Sequence, residues 1–110
     1  MARGAKLRAI VEWSRVPLIE GVADLAAQGF LTGASGRNWA GYGKDVTLHA
    51  DLPPLAQDLL SDPQTSGGLL VACAPEVVDE VLKTFHDAGF GFAAVVGRLE
   101  EGEVGLQVNP

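Results

Sequence analysis

The chain has 110 residues, a length that suits one small domain. Hydrophobic residues make up 47% of it, a fraction that suits a packed core and argues against a disordered chain. Its net charge of −6 disfavours nucleic acid or an anionic membrane as a partner, because phosphate binding needs a concentration of Lys and Arg. No apolar run is long enough to span a bilayer, and a single cysteine excludes an internal disulfide, which fits a cytoplasmic location.

The first part of the chain predicts a helix end, a strand and a helix. Residues 1–4, MARG, are interpreted as a helix tail closed by Gly4, since glycine tolerates the left-handed conformation that often ends a helix. Apolar and polar residues then alternate from Lys6 to Trp13, which is typical of a half-buried strand. After Pro17, apolar residues recur at helical spacing, and Gly29 ends the predicted helix.

The middle of the chain is rich in glycine and proline. Gly33 to Gly43, GASGRNWAGYG, predicts a loop with one helical turn near Arg37 to Gly41. A short strand is expected over Val46 to His49. A second helix begins at Pro53 or Pro54 and runs to about Leu60, before the break at Asp62-Pro63.

The last third of the chain has the clearest pattern. Leu69 to Cys73 is a short, continuous apolar run, typical of a central strand. Pro75 opens a helix that ends at Gly89 and has apolar residues at helical spacing. Strands are expected over Phe92 to Leu99 and Val104 to Val108. Together these elements predict an α/β fold with a mixed sheet.

The segment from Asp62 to Gly68, DPQTSGG, is the first candidate for chemistry. Thr65 and Ser66 supply hydroxyl groups, while Gly67 and Gly68 allow backbone N–H groups to approach an anion closely. A phosphate or the edge of a nucleotide fits such a segment. The alternative is ordinary turn chemistry, in which Asp62 accepts hydrogen bonds from the nearby backbone.

The segment from Gly33 to Asn38, GASGRN, is the second candidate. Arg37 is able to bind a carboxylate or phosphate through two hydrogen bonds, and Asn38 to orient a neighbour. The alternative is a structural loop in which Arg37 pairs with an acidic side chain such as Asp62. Cys73 lies inside the apolar run, so we expect a buried and unreactive thiol.

These motifs resemble those of a known family. DPQTSGGLL, Asp62 to Leu70, is similar to a signature near the C-terminal end of selenophosphate synthetases, also called selenide, water dikinases. GASGRN resembles their Gly-Gly-Thr-x-Arg-Asn pattern, with Ala34 where the family usually has a second glycine. The resemblance covers essentially the whole chain. It implies an enzyme that transfers phosphate from ATP to selenide, yielding selenophosphate, AMP and orthophosphate, with magnesium.

The resemblance also implies a fold and a domain arrangement. In this superfamily, which includes aminoimidazole ribonucleotide synthetase, the C-terminal domain is a three-layer α/β/α sandwich with a mixed sheet, partly ferredoxin-like. Residues 1–110 are then a single C-terminal domain fragment, inactive alone, whose partner is the missing N-terminal ATP-binding and catalytic domain of a homodimeric enzyme. The family's reactive cysteine or selenocysteine and its magnesium-binding aspartates lie N-terminal to this region. We therefore expect no catalytic residue, metal ligand or cofactor in this chain itself.

The residues expected near substrate or phosphate are those of the two motifs. They are Asp62, Gln64, Thr65, Ser66, Gly67, Gly68, Arg37 and Asn38. Two other interpretations stay open. The strand–helix–strand–strand order at the end of the chain also suits a stand-alone ferredoxin-like module for ligand binding or dimerisation, and a hydrogenase-maturation or thiamine-phosphate kinase homologue is a third possibility.

Overall fold

A four-stranded mixed sheet forms the centre of the fold. In the computed structural model, which describes residues 1–110, the strands β1 (Arg8–Glu12), β2 (Val46–Leu48), β3 (Gly97–Glu100) and β4 (Gly105–Asn109) lie in the order β2-β4-β1-β3. Strand β4 pairs in parallel with β1 and β2, whereas β3 pairs antiparallel with β1. The predicted α/β class with a mixed sheet is confirmed.

Five short or medium helices accompany the sheet. They are α1 (Ala2–Ala5), α2 (Val22–Ala27), α3 (Gly33–Tyr42), α4 (Ala56–Leu60) and α5 (Val78–Asp87), with single 3-10 turns at Trp13–Arg15, Gly43–Asp45 and Pro75–Val77. None of the helices has the length and apolar character that crossing a membrane requires.

One face of the sheet is apolar and carries α3 and α4. The register pairs Val11 with Val108 and Val108 with Leu48, so the three side chains share this face. Val108 is only 1% exposed. Between these strands and the two helices lies a cavity of about 80 Å³, whose walls include Trp39 and Leu60. The candidate site described below is therefore built on helices that rest directly on the core.

The opposite face is largely polar. Ile10 is buried there, but Arg98, its cross-strand partner, forms ion pairs with Glu12 at 3.0 Å and with Glu100 at 2.9 Å. The hydrogen bond that Arg98 donates to the carboxylate of Glu100, together with the negative charges of Glu100 and Glu12, raises the pKa of Arg98, which remains a cation. Strand β3 is thereby tied to β1 by side chains as well as by its backbone.

The prediction of a loop from Gly33 to Gly43 is wrong, because most of this segment forms α3. Thr32 has extended backbone angles, with φ −82° and ψ 139°, and the helix begins at the next residue. Ser35, Asn38, Trp39 and Tyr42 recur at spacings of three and four, which places them on one face of the helix. This face contacts the sheet and α4, and tertiary packing outweighs the unfavourable helix propensity of the glycines.

The strand predicted from Leu69 to Cys73 is also wrong, since these residues belong to no ladder. All five are exposed, and Leu69 retains 83% of its accessible surface. A continuous apolar run forms a central strand only where neighbouring strands bond its backbone and other elements cover both faces. In this structure β1 and β4 take the central positions. The expected burial of the Cys73 thiol is therefore wrong as well.

The other elements agree with the predicted ones but differ at their ends. Helix α1 passes through Gly4 and ends at Ala5, and the next residue, Lys6, adopts a left-handed conformation with φ 57°. Helix α2 begins only at Val22, because the preceding residue, Gly21, has φ 79° and therefore lies outside the right-handed helical conformation. Strand β3 begins at Gly97 rather than Phe92. The strands β1, β2 and β4 and the helices α4 and α5 are confirmed within a few residues of their predicted bounds.

Candidate functional site

The two sequence motifs meet at the side chain of Asp62. Its Oδ1 accepts a hydrogen bond from Thr32 Oγ1 at 3.0 Å and a longer one from Ser35 Oγ at 3.5 Å. Its Oδ2 accepts a hydrogen bond from Gln64 Nε2 at 3.1 Å. Both carboxylate oxygens are therefore engaged by groups of the chain itself, and Asp62 fastens the start of α3 to the DPQTSGG segment.

A second contact joins α3 to Ser61, the residue between the end of α4 and Asp62. Asn38 donates from Nδ2 to the backbone oxygen of Ser61 at 2.9 Å, and Ser61 donates from Oγ to the backbone oxygen of Gln57 at 2.6 Å. Ser61 and Ser35 are each 2% exposed, and both are hydrogen-bonded. Asn38 thus holds the backbone of the residue that immediately precedes Asp62.

The N-terminus of α3 has no side-chain cap. Thr32 occupies the N-cap position, yet its hydroxyl bonds Asp62 and Ser35 rather than a backbone N–H group of the first turn. The first N–H groups of a helix have no partner within the helix. In α3, Ser35 N–H donates to the backbone oxygen of Thr32 at 3.2 Å, and the N–H groups of Gly33 and Ala34 are left to solvent or to a ligand.

The guanidinium of Arg37, a residue in the middle of α3, approaches this end of the helix and has no acidic partner. It is exposed and takes part in none of the ion pairs of the structure. The predicted alternative, a pairing of Arg37 with Asp62, is therefore wrong, because Thr32, Ser35 and Gln64 occupy the carboxylate. A methyl group placed on Gly33 would meet Arg37 Nη1 at 3.8 Å, so the guanidinium turns back toward the start of α3.

The rest of the DPQTSGG segment is exposed. A turn at Thr65-Ser66 brings Gly67 back onto Gln64, so closely that a Cβ on Gly67 would lie 2.7 Å from the Gln64 Cβ. Thr65, Ser66 and Gly68 make no hydrogen bond with α3. The structure therefore brings Asp62, Gln64 and Asn38 into one polar cluster and leaves the hydroxyls of Thr65 and Ser66 unpaired beside it.

Metal ligands are not grouped anywhere in the chain. No three His, Cys, Asp or Glu side chains converge. The Nε2 atom of His86 lies 2.9 Å from the backbone oxygen of Ala93, within hydrogen-bond distance. The Nδ1 atom of His49 lies 3.6 Å from Oδ2 of Asp51.

Three residues of the cluster are not predicted from the sequence: Thr32, Ser35 and Ser61. Thr32 would have been found as the N-cap of a helix, had Ser35, Asn38, Trp39 and Tyr42 been recognised as one helical face. Ser61 carries no comparable signal, because its role depends on where α4 ends relative to α3.

The chain matches one protein-family model over almost its whole length. The model describes the C-terminal domain of AIR synthase related proteins, and it matches residues 1–109.

Curated relatives of high identity carry a single name. The "Selenide, water dikinase" of Burkholderia pseudomallei (strain K96243) is 57% identical over 109 residues, which are 99% of this chain and 31% of that protein. Its namesake in Burkholderia orbicola (strain MC0-3) is 56% identical over 98% of this chain and 30% of the relative. That of Rhizobium meliloti (strain 1021) is 48% identical, with shares of 98% and 31%. The chain thus spans about a third of the length of these relatives.

Proposed function

The chain belongs to the family of AIR synthase related proteins as their C-terminal domain, and from this membership we propose that it is the C-terminal portion of a selenide, water dikinase. The observation that carries the proposal is the identity of 57% with a protein of that name over 99% of the chain. The enzyme formed with the remaining sequence transfers phosphate from ATP to selenide. We expect residues 1–110 to be one domain that is inactive alone.

Within that enzyme, the proposed role of the chain is to form one wall of the phosphate-binding cleft. The guanidinium of Arg37 approaches the end of α3 that carries the uncapped N–H groups of Gly33 and Ala34, and both kinds of group attract an anion. The exposed hydroxyls of Thr65 and Ser66 offer further donors, and Gly67 and Gly68 leave the backbone accessible. These are the groups that we expect to contact phosphate.

The other three residues act by positioning. Asp62 and Gln64 bond each other, Asp62 also binds Thr32 at the start of α3, and Asn38 holds the backbone oxygen of Ser61. With its oxygens engaged in this way, Asp62 keeps the exposed turn beside α3 rather than acting as an acid, a base or a metal ligand. ATP, magnesium and the reactive residue are assigned to the remaining two thirds of the enzyme, which we expect to be a cytoplasmic homodimer.

A chimera tests the proposal directly. The 110 residues replace the corresponding part of the Burkholderia pseudomallei relative, and selenide-dependent formation of AMP from ATP is measured. We expect the chimera to work within about tenfold of the unaltered relative and the isolated chain to show no turnover. A folded chimera without activity, or selenide-dependent turnover by the chain alone, would refute it. Tight binding of a small ligand by the isolated chain would favour the alternative of an independent binding module.

A further inference from the structure

The apolar cavity between the sheet and the helices α3 and α4 has no part in the candidate site. It has a volume of about 80 Å³, and eight of its nine lining residues are hydrophobic. Its walls come from the sheet and from both helices, and they include Val11, Leu48, Val108, Trp39 and Leu60. Of the polar cluster around Asp62, only Ser61 reaches the cavity. The space is therefore distinct from the groups assigned to phosphate.

The cavity offers a water molecule no hydrogen-bond partner that lacks one. A buried water typically makes about three hydrogen bonds to polar groups that are otherwise unsatisfied. Ser61, the one lining residue that is not hydrophobic, already donates from Oγ to the backbone oxygen of Gln57 at 2.6 Å. No buried side-chain nitrogen or oxygen of the chain is without a partner. The cavity therefore suits an uncharged apolar occupant rather than water or an ion.

The aromatic wall of the cavity is held in place by its neighbours. The indole of Trp39 lies so close to Gly43 that a Cβ there would come within 2.7 Å of Trp39 Cε2. The same ring meets that of Tyr42 edge to face, with 6.5 Å between the ring centroids and 71° between the ring planes. A space persists where its walls cannot collapse, and the atoms around it then lack the dispersion contacts that a filling molecule supplies.

A route into the cavity passes Tyr42. Beside the cavity lies a more open surface pocket of about 260 Å³, and the walls of both include Tyr42, Val46 and Leu106. Tyr42 is the last residue of α3 and is 42% exposed. Because exposed side chains change rotamer rapidly, a small molecule is able to pass from the surface pocket into the cavity without unfolding of either helix.

We propose that this cavity is a binding site for one small, uncharged apolar molecule. An engineered apolar cavity of about 150 Å³ takes up benzene or xenon. The smaller volume of about 80 Å³ limits the occupant to one xenon atom or a hydrocarbon of about three carbon atoms. Because Ser61 lies in the wall and its backbone oxygen is held by Asn38, the occupant also rests against the junction that supports Asp62.

Xenon gas is the probe, and amide NMR of the 110-residue chain under increasing xenon pressure is the measurement. We expect saturable shift changes at Val11, Leu48 and Val108 that fit one dissociation constant, with helium at equal pressure as the reference. The exposed Leu69 and Leu70 report non-specific contact with the gas. The proposal is overturned if the lining residues do not change, if their shifts rise without saturation, or if the two exposed leucines respond as strongly.

Filling the cavity provides the matched comparison. Val46→Ile adds one methylene group to the wall, and Val71→Ile adds the same group at a residue that is 50% exposed. We expect Val46→Ile to weaken xenon binding at least about threefold, because the added group takes part of the space, and Val71→Ile to leave it unchanged. If Val46→Ile binds xenon as the unaltered chain does, the gas occupies another site and the proposal is wrong. The amide spectrum of each variant reports its fold, and the titration of the unaltered chain decides the question if a variant does not fold.

Discussion

Thr32 and Asp62 are thirty residues apart in sequence, and their side chains meet at 3.0 Å, where the hydroxyl of Thr32 bonds the carboxylate of Asp62. The contact removes the hydroxyl from its usual capping role and the carboxylate from any ion pair with Arg37. It thereby links the start of α3 with the turn that follows α4. The stability of this link and the freedom of Arg37 are separate properties, and different variants report on each.

Replacing Asp62 by Asn should weaken the link. The substitution removes the charge and one acceptor from a group that receives three hydrogen bonds, so we expect a loss of about 1–2 kcal/mol in the free energy of unfolding. Urea titration of the chain provides the measurement. Glu103→Gln removes the same charge at an exposed position and should change stability by less than about 0.5 kcal/mol. Similar losses in the two variants would contradict a specific role for Asp62.

A double-mutant cycle sharpens this test. Thr32→Val keeps the shape of the side chain and removes the hydroxyl. If the two residues act through their mutual contact, the losses for Thr32→Val and Asp62→Asn should fall short of additivity by at least about 0.5 kcal/mol. Additive losses would mean that each residue acts independently.

Replacing Arg37 by Gln should leave the fold unchanged and impair the enzyme. Arg37 is exposed and without an ion pair, so the chain should lose less than about 0.5 kcal/mol of stability. In the chimera we expect selenide-dependent AMP formation to fall at least about tenfold, since a charged hydrogen bond to phosphate contributes about 1.5–3 kcal/mol. Arg15→Gln, at another exposed arginine, is the control and should keep full activity. An active Arg37→Gln chimera would exclude the guanidinium from phosphate binding.

Two glycines should respond oppositely to replacement by alanine. A Cβ on Gly97 would clash with the backbone oxygen of Ile10 across the β1–β3 ladder. Overlap of this kind in a packed sheet costs about 1–3 kcal/mol. Gly36 lies within α3 with nothing within 4 Å of a Cβ, so alanine there should stabilise the chain by about 0.5–1 kcal/mol. Thermal unfolding of both variants checks the pair, and a stable Gly97→Ala chain would mean that β3 does not approach β1 this closely.

The cavity beneath α3 should accept one additional methylene group. Val46 lines the space of about 80 Å³, and Val46→Ile should raise stability by about 0.5–0.8 kcal/mol. Val71→Ile adds the same group at a position that is 50% exposed and should have a smaller effect. Equal effects measured by urea titration would argue against burial of residue 46 at the cavity.

Local sequence patterns predicted most strands of the sheet, but they also predicted a strand over Leu69–Cys73 that the sheet does not contain. Strand β1 follows from the alternation of apolar and polar residues, short strands are expected where β2 and β4 lie, and α5 follows from the helical spacing of its apolar residues. The glycines of GASGRNWAGYG led to the prediction of a loop where the structure has α3, although Ser35, Asn38, Trp39 and Tyr42 share one face of that helix. Leu69–Cys73 has the composition of a strand, yet composition does not specify whether a neighbouring strand is paired with it.

The candidate site could be predicted only in part for a related reason. The sequence identified the two motifs, and the structure joins them at Asp62. The partners of Asp62 could not be predicted, because Thr32 and Ser35 reach it only through the packing of α3 on α4. The assignment of the eight site residues to phosphate binding stays a prediction until the Arg37 variants are measured.

The order of the strands has a consequence for synthesis of the protein on the ribosome. Strands β1 and β2 are made first and are not neighbours, because β4 lies between them. Every ladder of the sheet requires β3 or β4, which are made after β1 and β2. Long-range pairing of this kind closes slowly, since the intervening chain must lose its conformational freedom first. This part of the nascent chain therefore remains without its sheet, and dependent on whatever shields its apolar segments, until β4 leaves the exit tunnel.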